Sequence, residues 1–150
     1  MSDAADLYQE LILQHSRTPR HFGPLPQATH TAAGDNLLCG DRYQIRVQVD
    51  ENGIIRDGAF EGVGCAISKA SGSLLLDAVI GHSRDEFERL FQDFHAVVRG
   101  DEQSPAAIAR LGKLAAFAGI WKYPARVKCA ILCWHALRGA LAGEHSATTE

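Results

Sequence analysis

Asn36–Val49 reads NLLCGDRYQIRVQV. From Tyr43 onward the residues alternate: Tyr43, Ile45, Val47 and Val49 face one way, while Arg42, Gln44, Arg46 and Gln48 face the other. A period of two over this length marks a strand with one buried face and one wet face. DENG, Asp50–Gly53, is a turn, and IIRDGAFEG, Ile54–Gly62, returns as a second strand. The pair predicts an antiparallel hairpin, with a candidate bulge at Gly58. Just before the alternation stand Cys39, Gly40 and Asp41. A thiol and a carboxylate at the exposed start of a strand do not fill a core, and both are candidate metal ligands.

Outward from the hairpin the pattern is helical. Asp6–Ser16 is amphipathic and opens the chain as a helix, followed by a loop rich in proline and glycine. Thr29–Ala33 gives a weak signal for a short extended piece. Ala66–Ile80 is small and apolar and stops at Gly81, a C-terminal cap. Ser83 and Glu86 make a capping box for the next helix. Ser104–Pro105 supplies an N-cap and an N1 proline before AAIARLGKLAAF. Pro124 opens a last helix that ends near Gly143, and the polar residues from about 143 to 150 are expected to be a flexible tail. The fold class is α+β: a small antiparallel sheet packed against a layer of helices, in a single domain spanning residues 1–150.

The totals exclude several function classes. The 150 residues carry a net charge of −3, which leaves no basic footprint for nucleic acid. No apolar run is long enough to span a membrane. The first residues lack a basic segment followed by an apolar one, so no secretory signal is read and a cytoplasmic location is expected. In a reducing compartment cysteines bind metal or react more often than they pair. There are four, Cys39, Cys65, Cys129 and Cys133.

Cys65 follows Gly62 and Gly64, which turn the chain out of the second strand, and it falls at the entrance to a helix. Exposed N–H groups and the helix dipole favour a thiolate there. Cys129 lies in the first turns of the last helix and is expected near its N-terminus, with Arg126 and Lys128 adding positive charge. Cys39, Cys65, Cys129 and Asp41 together match the four ligands of a tetrahedral zinc ion. The spacing is not that of a zinc finger, because no C-x-x-C is present and the ligands come from three segments. Read on spacing alone, the cysteines serve equally as small buried core residues. Cys133, four residues after Cys129 among Ile131, Leu132, Trp134 and Leu137, reads as core.

The seven histidines include no i, i+4 pair and no H-E-x-x-H, so they read as solvated or hydrogen-bonded side chains. The serines of AISKASGSL have no G-x-S-x-G around them and read as close-packing residues. The glycines near Cys65 do not form a nucleotide loop.

Taken together, LLCGD, GVGCAISKASGSLL and PARVKCAILCWHAL resemble the U-type iron–sulfur cluster assembly proteins, the family of IscU and the NifU N-terminal domain. The resemblance runs from LYQELILQHSRTPRHFG to about Leu141, with the motifs in family order and at family separations. It implies the fold, with the cysteines gathered at one end of the sheet. The IscU branch has a histidine directly before the third cysteine, where this chain has Lys128. The segment from about Arg84 to Gly119 is similar to the insertion of the SUF branch, so the chain resembles its SufU-like members. That resemblance implies zinc held by Cys39, Asp41, Cys65 and Cys129, with Arg126 near the site. It further implies transfer of persulfide sulfur from a SufS-type cysteine desulfurase to downstream iron–sulfur assembly machinery. Cys39 is expected to be the acceptor thiol, because it lies in a loop beside Gly40 whereas Cys65 and Cys129 are expected at rigid helix N-termini. Such a protein is a sulfurtransferase-like partner of the desulfurase rather than a stand-alone enzyme. The alternative on the same residues is a scaffold for a transient iron–sulfur cluster. Asp41 gives the site a harder, more exchangeable ligand than a fourth thiolate would.

Overall fold

Tyr43, Ile45 and Val47 are buried on one face of a strand, and Arg42 and Gln44 are exposed on the other, as their alternation requires. The computed structural model describes residues 3–36 and 40–148. The strand is β2, Asp41–Val49, preceded by helix α1, Asp3–Arg17, and strand β1, His30–Asn36. Then follow β3, Ile55–Val63, and the helices α2, Ala66–Val79, α3, Arg84–Val98, and α4, Pro105–Ala109. Two 3-10 turns, Gly112–Phe117 and Ile120–Lys122, lead to α5, Pro124–Leu141, and a short strand β4, Ser146–Thr148. The sheet order is β3-β2-β1-β4, with β1, β2 and β3 antiparallel and β4 parallel to β1.

The hairpin of β2 and β3 forms with Ile45 opposite Phe60, but its irregularity is not at Gly58. The register shifts between Gln48 and Val49, which face Asp57 and Ile55 and leave Arg56 as the extra residue. Gly58 pairs in register with Val47. Its missing side chain admits α2 instead, since a Cβ there would lie 2.9 Å from Leu76 Cδ2.

β1 is a full strand of seven residues, HTAAGDN, although alanine, glycine, aspartate and asparagine are poor strand formers. Tertiary contacts make it. It pairs with β2 on one side and β4 on the other, and Gly34 lies under α5, where a Cβ would stand 3.1 Å from Leu132 Cδ1 and 3.2 Å from Ala136 Cβ. The tail expected to be flexible is bound in part. Gly143, at φ +83°, turns the chain back, and Ser146, Ala147 and Thr148 pair with Ala33, Gly34 and Asp35. Main-chain hydrogen bonding to an open sheet edge needs no apolar side chains, which is why the polar composition does not announce it.

The helical layer covers the buried face of the sheet. Ser83 and Glu86 close the capping box of α3, and Ser104 caps α4. The helix expected over Ala106–Phe117 stops at Ala109, and Gly112, at φ +58°, diverts the chain into a 3-10 turn. Trp134 of α5 is fully buried, with its ring stacked on Phe94 at 4.1 Å. Its indole N–H donates to Ser71 Oγ at 3.0 Å, and that hydroxyl donates to the Ala130 carbonyl at 2.6 Å. Ser73, also buried, meets His15 Nδ1 at 2.6 Å and accepts the Arg20 N–H at 2.8 Å. The serines of α2 therefore pack closely, as small residues do, and also tie α2 to its neighbours. No helix among the described residues is long and apolar enough to cross a membrane.

Candidate metal centre

Four chain segments converge at one end of the sheet. β1 ends at Asn36 directly opposite Asp41, where β2 begins, and Arg42 faces Val63 at the end of β3. Two residues beyond Val63, Cys65 caps α2, and Cys129 arrives on α5. A carboxylate oxygen of Asp41 and the sulfurs of Cys65 and Cys129 all lie within 4.8 Å of one another. Cys39 lies outside the described residues.

The approach of Cys65 depends on glycine. Gly62 sits at φ +149°, where side chains are strained. Gly64 is needed for space: a Cβ there would stand 2.5 Å from the Tyr43 hydroxyl and 2.7 Å from both Asp41 Oδ1 and Ser68 Oγ. Cys65 then takes the N-cap position with extended backbone, and its sulfur accepts the Ser68 N–H at 3.5 Å. The Cys65 thiol is pulled down to about 6, first by its hydrogen bond with Cys129 and then by Ser68, against burial and the Asp41 charge. The site thus favours a thiolate at the helix entrance. The Ser68 hydroxyl is held in turn by Tyr43, 3.0 Å away, and burial pushes the Tyr43 phenol well above its usual range, so it stays a neutral hydrogen-bonding group.

Asp41 is 1% exposed, not at an exposed strand start as its position suggested. β1 pairs beside it, and the turn through Gly64 and Cys65 packs against its carboxylate. Its Oδ1 accepts the Cys65 N–H at 2.9 Å, while its Oδ2 is buried with no hydrogen-bond partner among the described residues. Cys129 also departs from expectation. α5 starts at Pro124, so Cys129 lies beyond the first turn, buried, with its thiol donating to the Ala125 carbonyl at 3.6 Å. The helix dipole acts mainly within the first turn and therefore serves Cys65 rather than Cys129. Arg126 is exposed, its guanidinium 5.8 Å from the Tyr123 ring, and Lys128 is half-buried one residue before Cys129. Cys133 belongs to the core, where burial pushes its thiol up to about 12.

Two contributors escape a reading of the sequence. Asn36 is fully buried and its amide donates to Cys129 Sγ at 3.7 Å. Nothing in NLLCGD marks it, because the contact exists only once β1 pairs with β2 and packs on α5. Ser68 is different, since it lies three residues after Cys65, the spacing of an N-cap and the N–H it holds.

Two thiols and a carboxylate whose Oδ2 has no hydrogen-bond partner among the described residues fit a small thiophilic cation. Zinc accepts thiolate sulfur and aspartate oxygen, and Asp41, Cys65 and Cys129 would hold it with Cys39 as the fourth ligand proposed from sequence.

Comparison with known proteins agrees with this geometry. Residues 7–130 match the NifU-like N-terminal domain family. The iron–sulfur cluster assembly scaffold protein IscU of Thermotoga maritima is 37% identical over 135 residues, which cover 90% of this chain and 92% of that one. The zinc-dependent sulfurtransferase SufU of Bacillus subtilis is 35% identical over 138 residues, covering 92% and 91%. A crystal structure from Fervidobacterium islandicum AW-1, described as an iron–sulfur cluster assembly scaffold protein for the SUF system, superposes with a TM-score of 0.81 at 32% identity and covers 92% of this chain and 98% of that one. On the matched family and on relatives spanning nearly its whole length, this chain belongs to the NifU-like N-terminal domain family of iron–sulfur cluster assembly proteins.

Proposed function

We propose that the chain is a zinc-dependent sulfur relay of iron–sulfur cluster assembly, taking persulfide sulfur from a SufS-type cysteine desulfurase and passing it to downstream assembly machinery. The observation that carries this reading is the convergence of Asp41, Cys65 and Cys129 within 4.8 Å, with Cys65 half-buried and the other two enclosed. Zinc, when bound by Cys39, Asp41, Cys65 and Cys129, supplies a Lewis acid that keeps its thiols deprotonated. The similarity to a sulfurtransferase supports the zinc assignment, and Lys128 in place of a cluster-ligating histidine supports relay over storage.

Cys39 is the thiol proposed to take the sulfur. Gly40, between Cys39 and β2, sits at φ +72°, a backbone conformation that glycine adopts freely. Cys65 and Cys129 are built into helices, and Asp41 into the sheet. In the transfer the Cys39 thiolate attacks the outer sulfur of the donor persulfide. A new S–S bond forms on Cys39, the donor S–S bond breaks, and the donor cysteine leaves as a thiolate, so no outside oxidant or reductant enters. The test is to mix the chain with a cysteine desulfurase and cysteine, alkylate, and map the extra sulfur by peptide mass spectrometry. Sulfur on the Cys39 peptide is the expected result; sulfur confined to the Cys65 or Cys129 peptide contradicts it.

A second reading is favoured by the name of the Thermotoga maritima relative, a scaffold. The same donors would then hold a transient iron–sulfur cluster. The two readings differ in colour, since a zinc thiolate site is colourless and a cluster absorbs visible light.

A further inference from the structure

Asn36 ends β1 and stands opposite Asp41 in the β1–β2 register, so the two side chains rise on the same face of the sheet. Both are enclosed, at 0% and 1% exposure. The Asn36 amide nitrogen donates to Cys129 Sγ at 3.7 Å, while its Oδ1 is buried with no hydrogen-bond partner among the described residues. Enclosing an amide costs more than enclosing an apolar side chain of the same size. What the amide provides is an N–H directed at one of the three converging donor atoms.

We propose that Asn36 is a positioning residue of the metal centre, aiming the Cys129 sulfur toward Asp41 and Cys65 and drawing electron density from it through an N–H···S hydrogen bond. This rests on the reading of Asp41, Cys65 and Cys129 as metal ligands. A metal-bound thiolate has no S–H to give the Ala125 carbonyl, so that contact is lost on binding, whereas the contact with Asn36 becomes charge-assisted and stronger. Partners of this kind, behind the ligands themselves, commonly change metal affinity by about 10- to 100-fold. The placement also joins segments. Asn36 and Asp41 are the two ends of the stretch carrying Cys39, and the amide fastens one of those ends to α5.

The experiment is cobalt(II) titration of the parent chain and of Asn36→Leu and Asn36→Ala, alongside thermal unfolding of each metal-free protein. Leucine keeps the volume and removes the amide; alanine removes the amide without adding a branched chain. The expected result is cobalt affinity lowered roughly tenfold, with the sulfur-to-cobalt charge-transfer band moved to lower energy because the sulfur has lost its donor. The metal-free Asn36→Leu protein should unfold no earlier than the parent. Parent-like affinity and an unmoved band in both variants overturn the proposal while leaving the metal centre intact. So does a loss of affinity matched by an equal loss of metal-free stability in both variants, which would make Asn36 a purely structural residue. A parent chain that takes up no cobalt overturns the metal-centre reading itself, and the proposal with it.

Discussion

The carboxylate of Asp41 accepts the backbone N–H of Cys65 at 2.9 Å. The first residue of β2 thereby fixes the residue that caps α2, and one Asp41 oxygen is committed to the fold while the other is buried with no hydrogen-bond partner among the described residues. The contact with Cys65 and the proposed metal ligation can be separated by substitution.

Asp41→Asn should leave the chain folded, because an amide oxygen can still accept the Cys65 N–H, but should weaken zinc retention by removing the charge. Asp41→Ala should lose both, with the orphaned Cys65 N–H costing about 1–3 kcal/mol. Chelator competition and thermal melts check the pair; parent-like zinc retention in Asp41→Asn would remove Asp41 from the ligand set.

Cys133→Ala should retain metal. Its sulfur is in the core and packs near Gly72, so the loss is one of packing, about 1 kcal/mol. Metal lost together with Cys133 would show that the fourth thiol is a ligand.

Gly64→Ala should be far more damaging than its single methyl suggests. The added Cβ would meet the Tyr43 hydroxyl, Asp41 and Ser68 together, and overpacking of this kind costs about 1–3 kcal/mol. The measurable result is a lower unfolding midpoint and poorer metal uptake in one variant. A parent-like melt would mean that the three groups move apart freely.

Acid should destabilise the metal-free protein in two windows. The Cys65 thiol is depressed from 9.0 to about 6, so its contribution is complete above the unfolded value and is lost as pH falls from 9.0 toward 6. His15, His30, His95 and His135 are all held below 6.5, chiefly by burial. The unfolded chain takes up their protons first, so their contribution is complete above 6.5 and is lost as pH drops through their folded values. His30 also accepts from Arg84 at 2.8 Å, a bond that protonation of its Nε2 removes. Melts across this range should show Cys65→Ser abolishing the upper decline while the lower one persists. A midpoint that rises on acidification below 6.5 would contradict the histidine assignments.

The hairpin was legible because β2 alternates with one face enclosed, and the caps at Ser83 and Ser104 were legible because capping is local chemistry. β1 is only weakly legible, over Thr29–Ala33, and β4 not at all, since HTAAGDN and SAT become strands only by pairing with a neighbour. For the site, Cys65 announced itself by its glycines and its helix. Asp41 and Cys129 are legible as candidate ligands but not in their settings, one being enclosed against Gly64 and Cys65 and the other lying beyond the first turn of α5. Asn36 left no trace in the sequence because its contact with Cys129 spans 93 positions.

Metal content and the visible spectrum of the purified chain, measured on the same sample, test the central claim most directly. Two cysteine sulfurs and a carboxylate gathered within 4.8 Å, with Cys39 as the proposed fourth ligand, predict one zinc per chain in a colourless protein. A chain free of metal with all its site thiols open to alkylation would contradict the metal centre, and a coloured chain carrying iron and sulfide in place of zinc would contradict the relay.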